Sequence, residues 1–319
     1  MRFLCLIIIV SGMVLQSQAQ KQRIWIDTDI MIGKFRRDVD DGLALILMLR
    51  DPGLNIEGIS FVHGVKYADK VTEKLLHWYA PDRSIPTYKG ADDSTGLGQE
   101  TEAVKALIAA LEKGPITIMA LGPATNIATV LQLRPDLHKN IANVVYCAGR
   151  KPGMTFSPGS GKVNFSDYNF NLDPRASEML VNSQVPLLLA GYDCSDSLFL
   201  SRKDFIHLRK SKNKGDKWLF RQLKEWEGLW KVFLGSKQGF IPFDCATVGA
   251  FLYPSEFNLF ETGIAIDLDS NDSSHTVKSK IKPYLLVMQP GFRSARYCDD
   301  SKAAFKKRLL KALDHPDYQ

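Results

Sequence analysis

The stretch Arg23-Ile-Trp-Ile-Asp27-Thr-Asp29-Ile-Met-Ile-Gly-Lys-Phe-Arg-Arg-Asp38-Val-Asp40-Asp41-Gly-Leu-Ala-Leu45 sets five aspartates within fifteen residues, between an apolar strand and an apolar helix. Ile24, Trp25 and Ile26 form an uninterrupted apolar run, as expected of a strand buried on both faces in a parallel sheet. Asp27 and Asp29 fall at its carboxyl end and, by the two-residue period of a strand, share a side. From Asp41 the chain reads Gly-Leu-Ala-Leu-Ile-Leu-Met-Leu-Arg50, a strongly apolar helix. Asp40 and Asp41 stand at its amino end, where the macrodipole favours negative charge. Neighbouring residues in a helix point in different directions, so one of the pair can hold a metal while the other reaches a substrate hydroxyl. Carboxylates this close raise one another's pKa unless a positive charge sits among them. A hard metal ion held by oxygen ligands is the economical answer, whereas an ordinary capped helix accounts for only one aspartate.

Outward from this stretch, strand-like and helix-like segments alternate. An apolar run at Ile56 to Val62 is followed by helical patterns at Ala68 to Tyr79 and Glu100 to Leu111, then by the strand Ile116 to Leu121. Gly122-Pro123 turns into a helix through Leu131, and Asn143 to Cys147 and Val185 to Ala190 read as buried strands around a helix at Pro174 to Val181. The pattern predicts an α/β fold with a mostly parallel central sheet flanked by helices, and with ligand sites at the carboxyl ends of the strands. No repeat, low-complexity tract or linker divides it, so residues 20–319 are expected to form a single domain.

The 319 residues are 45% hydrophobic and 24% charged, an ordinary globular composition. A formal charge of +6, without long basic runs or interleaved aromatic motifs, speaks against a nucleic-acid partner. Residues 1–19 read as a signal peptide: Arg2 is a positive n-region, Phe3 to Val14 an apolar h-region, and Ser17-Gln18-Ala19 supplies small residues for cleavage after Ala19. The apolar stretch is short for a transmembrane helix, so the mature chain is expected to have no integral membrane segment and to be exported, periplasmic or secreted. Cys147, Cys194, Cys245 and Cys298 remain after cleavage. Their spacing matches no zinc motif, and their apolar surroundings favour buried free thiols over a disulfide framework.

Four segments, in order, resemble one family, the calcium-dependent nucleoside hydrolases of the inosine-uridine type. Asp27-Thr28-Asp29 followed by Asp40-Asp41-Gly-Leu-Ala-Leu is similar to the family's opening signature, Asp-x-Asp, a turn, then Asp-Asp at a helix start. Ala120-Leu-Gly-Pro-Ala-Thr-Asn126 is similar to its Ala-Leu-Gly-Pro-Leu-Thr-Asn turn, and Asp167-Tyr-Asn169-Phe-Asn-Leu-Asp173-Pro174 to its Glu-Phe-Asn-x-x-x-Asp-Pro segment. Phe243-Asp244-Cys245-Ala246 occupies the place of a late His-Asp-Pro-x-Ala.

The resemblance implies hydrolysis of the N-glycosidic bond of ribonucleosides to free base and ribose. It implies a Ca²⁺ held by Asp29, Asp41, Asp244 and the main-chain carbonyl of Leu121, with Asp29 also the general base that takes a proton from the attacking water. Asp40 and Asn169 would bind the ribose hydroxyls, Asp167 the 5′ side of the sugar, and Asn164 a further sugar contact. Asp27 and Asp38 would orient these ligands from behind. The partner is a small-molecule ribonucleoside, and a homo-oligomer is left open.

Three departures from the family pattern stand out. The turn between the aspartate pairs, Ile30 to Val39, is long and carries Lys34, Arg36 and Arg37. Ordinary loop behaviour favours a solvated loop whose arginines offset the aspartates, and the sharper alternative is a loop that covers the site and touches substrate. Phe243 stands where many members place the histidine that protonates the leaving base. Phe243, Trp226 and Trp230 are candidates to stack on that base, although tryptophans at helical spacing more often serve packing. Gly64-Val65 replaces the usual Gly-Asn, and His63 beside it is more often structural than a substitute contact. Gly159-Ser-Gly161-Lys162-Val163 lacks the residues of a phosphate loop and reads as a loop near the site. Two rival readings remain: a phosphatase using Asp27 and Asp29, which leaves the other segments unexplained, and an exported ribosyl-ligand-binding protein with the metal site but little or no turnover.

Overall fold

A computed structural model describes residues 21–154, 157, 166–269 and 282–314. Residues 1–20, Asn164 and the stretch Gly159 to Val163 lie outside them. The apolar runs become the strands β1 (Gln22–Thr28), β2 (Leu54–Phe61), β3 (Thr87–Lys89), β4 (Ile116–Ala120), β5 (Ile141–Tyr146) and β6 (Leu187–Leu189), followed by β7 (Phe257–Leu268), β8 (Pro283–Leu286) and β9 (Arg293–Ser301). They build one nine-stranded sheet in the order β3-β2-β1-β4-β5-β6-β9-β7-β8. Every pairing from β3 across to β9 is parallel, and β7 runs antiparallel to both β8 and β9. The mostly parallel α/β architecture expected from the sequence is present.

Alternate residues of the central strands face opposite layers, as the pleat requires. Ile24, Ile26, Met119, Val145 and Leu188 enter one core, while Trp25, Ile118, Val144, Tyr146, Leu187 and Leu189 enter the other. The helices are α1 (Asp40–Arg50), α2 (Val65–Tyr79), α3 (Glu102–Glu112), α4 (Thr125–Leu133), α5 (Tyr168–Leu172), α6 (Pro174–Asn182), α7 (Tyr192–Ser195), α8 (Arg202–Phe205), α9 (Lys214–Leu234), α10 (Phe243–Leu252) and α11 (Ala303–Leu313). The first core takes its helical side chains from α1, α2, α7, α8, α9, α10 and α11, and the second from α3, α4, α5 and α6. Helix α1 is apolar all round because it is buried all round, from Asp40 to Leu49. Among the described residues, no helix is long and apolar enough to cross a membrane.

One expectation is corrected. Cys194 and Cys298 form a disulfide, and among the described residues only Cys147 and Cys245 are free. The pairing is a product of topology: α7 follows β6 directly, β9 lies beside β6, and residues 104 apart in sequence meet. Spacing along the chain carries no trace of that neighbourhood.

Candidate active site

Strands β2 and β3 lie on one side of β1, whereas β4, β5 and β6 continue on the other. Loops leaving β1 and β4 therefore diverge, and ligands of open α/β sheets bind in the crevice at such a switch point. Asp29 is one residue past the end of β1, Leu121 one past β4, and Cys147 one past β5. Gly122 lets the first two tips close together. A Cβ there would lie 2.7 Å from Val62 and 3.1 Å from both the amide and a carboxylate oxygen of Asp29.

Helices α1 and α10 bring their amino ends to the same crevice. The backbone N–H of Asp244 donates to the Asp40 carboxylate, and the Cys245 thiol to the Asp40 carbonyl at 3.8 Å. The result is a cavity of about 460 Å³, within the range of small-ligand sites. Asp29, Asp38, Asp40, Asp41 and Asp244 lie at one end, and Tyr192, Trp226, Trp230, Phe233 and Phe243 line the wall. Phe243 is 6.2 Å from the ring of Tyr192 and 6.3 Å from that of Trp230. Thus Trp226 and Trp230 both pack against the core and face the cavity.

The carboxylates are held against their own repulsion. Burial first, and then the neighbouring aspartates, push Asp29, Asp40, Asp41 and Asp244 well above the usual carboxylate range. Burial raises Asp38 to about 6, against the pull of the adjacent Arg37 guanidinium. Carboxylate oxygens of Asp38, Asp40 and Asp41 lie within 4.8 Å of one another. Asp41 also shares a side-chain hydrogen bond with Asp244 and accepts the Thr28 hydroxyl. A proton shared between facing carboxylates occupies the place that a cation fills with less strain. With the Leu121 carbonyl beside it, this all-oxygen donor set fits a hard divalent ion.

All four expected metal ligands, Asp29, Asp41, Leu121 and Asp244, line the cavity. Asp38 does so too and joins the tightest group of carboxylates, so it is a member of the cluster rather than a support behind it. Asp27 does not line the cavity. Fully buried, it is raised to about 6 by that burial and accepts hydrogen bonds from Ser60 and, at 2.8 Å, from Asn126. Asp40, Asp167 and Asn169 also line the cavity. Asp167 caps α5, its oxygens accepting from Phe170 N at 3.2 Å and Gly149 N at 2.7 Å. His63 is not among the lining residues. The basic loop divides: Ile30 and Ile32 are fully buried, Phe35 is exposed, and Arg36 and Arg37 face the cavity. Gly33 to Arg37 are all exposed, so the basic stretch is solvated as well as lining the cavity.

Arg150, Tyr192 and Phe233 line the cavity without having been singled out in the sequence. The first two follow the carboxyl ends of β5 and β6, so the strand-end rule that located Asp29 also points to them. Phe233 emerges from the long helix α9 and left no comparable signal.

A sequence profile of the inosine-uridine preferring nucleoside hydrolases matches residues 24–306. The chain belongs to this family. Members similar to it include the pyrimidine-specific ribonucleoside hydrolases of Citrobacter koseri and Klebsiella pneumoniae, 26% and 25% identical over 54% of this chain. In each case the chain spans 63% of the relative's length. Among solved structures, a plant nucleoside hydrolase superposes with a TM-score of 0.74 at 20% identity, over 92% of this chain and 99% of that one. The purine-preferring ribonucleoside hydrolase from Gardnerella vaginalis superposes at 0.72 and 17%, over 92% and 98%. These two establish that the nucleoside hydrolase fold is shared.

Proposed function

We propose that this protein hydrolyses the N-glycosidic bond of ribonucleosides, releasing ribose and free base. The observation that carries the proposal is the cavity itself, in which a carboxylate cluster at the strand ends faces an aromatic wall, in a chain of the nucleoside hydrolase family. Asp29, Asp41, Asp244 and the Leu121 carbonyl would hold Ca²⁺, with Asp38 close enough to assist. The bound ion supplies positive charge that lowers the proton affinity of a water beside it.

Asp29 accepts a proton from the attacking water as the water oxygen reaches C1′. Positive charge develops on the sugar ring as the C1′–N bond breaks, and the carboxylate end of the cavity stabilises it more than it stabilises the ground state. Asp40 accepts from a ribose hydroxyl. The Asn169 side-chain nitrogen donates to the Leu121 and Cys147 carbonyls at 2.7 and 3.0 Å, which leaves its oxygen to meet the sugar. Asp167 faces the 5′ side, while Phe243, Trp226 and Trp230 stack on the base. The leader-like first nineteen residues point to an exported enzyme that acts on external nucleosides. Ribose release from nucleosides, with and without a chelator, tests hydrolysis, metal and substrate together. It also separates the enzyme from a binding protein without turnover.

A further inference from the structure

The aromatic wall carries a cation that the chemistry above does not use. Arg36 has a φ of 58°, a left-handed conformation that costs a non-glycine residue energy and persists where its surroundings impose it. The loop around it is anchored. Ile30 and Ile32 are buried, a Cβ on Gly33 would meet the Trp218 ring at 2.7 Å, and Lys34 Nζ stands 5.6 Å from the centre of the Tyr67 ring. The Arg36 guanidinium carbon thereby lies 5.1 Å from the ring centre of Phe35 and 5.6 Å from that of Phe233, and Arg36 and Phe233 both line the cavity. Arg37 is occupied differently, since its charge offsets part of the burial-driven rise of the Asp38 carboxyl.

Cleavage leaves the electron pair of the C1′–N bond on the base, so negative charge grows at the aromatic end as positive charge grows on the sugar. The described lining residues include no histidine or lysine to meet it. Burial pushes the Tyr192 phenol up to about 12, which makes it a weak acid near neutrality. An arginine does not give up a proton, but a cationic hydrogen-bond donor placed where negative charge develops lowers the energy of the anion, and Arg36, although exposed, lines the cavity.

We propose that Arg36 is a catalytic residue that hydrogen-bonds the departing base and stabilises the negative charge left on it. This rests on the ribonucleoside hydrolase reading above. A C1′–O bond forms from water and the C1′–N bond breaks with its electron pair going to the base nitrogen. One water proton passes to Asp29 and the other stays on the new 1′-hydroxyl. The base anion, held by Arg36, takes its proton from solvent as it leaves.

The test compares kcat/KM of the Ca²⁺-loaded protein on uridine and inosine with that on 4-nitrophenyl β-D-riboside, whose phenolate leaves as a stable anion unaided. Arg36→Ala lowers the nucleoside values by about 100-fold and the nitrophenyl value by less than about threefold. Arg36→Lys recovers part of the loss. Lys105→Ala, which removes an exposed lysine of α3 outside the cavity lining, leaves both classes unchanged. An equal loss on both classes of substrate, or no loss on nucleosides, overturns the assignment of Arg36. A wild-type protein that turns over neither class overturns the hydrolase reading instead.

Discussion

The side-chain amide of Asn169 donates to the Leu121 carbonyl at 2.7 Å and to the Cys147 carbonyl at 3.0 Å. One residue of α5 thus ties the tip of β4 to the tip of β5 and aims a proposed metal-binding carbonyl. Asn169→Ala removes both donors from largely buried acceptors. The expected loss is about 1–3 kcal/mol of folding stability, read from urea unfolding of the ion-free protein, together with weaker Ca²⁺ binding by calorimetry. A variant with unchanged stability and affinity would show that the bridge does neither job.

The aspartate cluster predicts an unusual dependence on pH. Asp29, Asp40, Asp41 and Asp244 have folded-state pKa values well above the ordinary carboxylate value of 3.8, because of burial and mutual repulsion. The ion-free native state therefore binds more protons than the unfolded chain, and its stability falls as pH rises from the ordinary carboxylate range toward the raised values. Added Ca²⁺ relieves the repulsion, so its stabilising effect grows with pH. Thermal unfolding at pH 5 and pH 8, with chelator and with Ca²⁺, should show a much larger Ca²⁺-induced rise in Tm at pH 8. An equal rise at both values would contradict this electrostatic account.

Cys194 and Cys298 tie α7, whose first residue Tyr192 lines the cavity, to strand β9. Closing a loop of this length constrains the unfolded chain, and losing such a bond typically costs about 2–5 kcal/mol. Adding a reductant to the oxidised protein should lower its Tm markedly, and the double variant Cys194→Ser, Cys298→Ser should show the lower Tm without reductant. A Tm unmoved by either would remove the bond from the account.

Much of the frame was legible in the sequence because its signals are local. Apolar runs such as Ile24 to Ile26 announce buried parallel strands, and Asp29 and Leu121 sit at strand ends, where the fold class places ligands. Asp40 and Asp41 stand at a helix start, which their charge favours. What stayed hidden depends on contacts distant along the chain. The Cys194–Cys298 bond requires knowing that β9 lies beside β6. The different situations of Asp27, buried against Ser60 and Asn126, and Asp38, grouped with Asp40 and Asp41, depend on how the 30–39 loop returns to the crevice. That loop is anchored by partners such as Trp218 and Tyr67, which its own composition does not reveal.

The most direct test of the central claim is ribose release from purine and pyrimidine nucleosides, measured as reducing sugar, for the wild-type protein and Asp29→Asn. Wild type with Ca²⁺ should release ribose and free base in equal amounts, and a chelator should stop it. Asp29→Asn should lower turnover by about 10²–10⁴-fold, the usual contribution of a positioned general base. A wild-type protein that binds nucleoside in the presence of Ca²⁺ yet releases no ribose would contradict the account and leave a binding protein in its place.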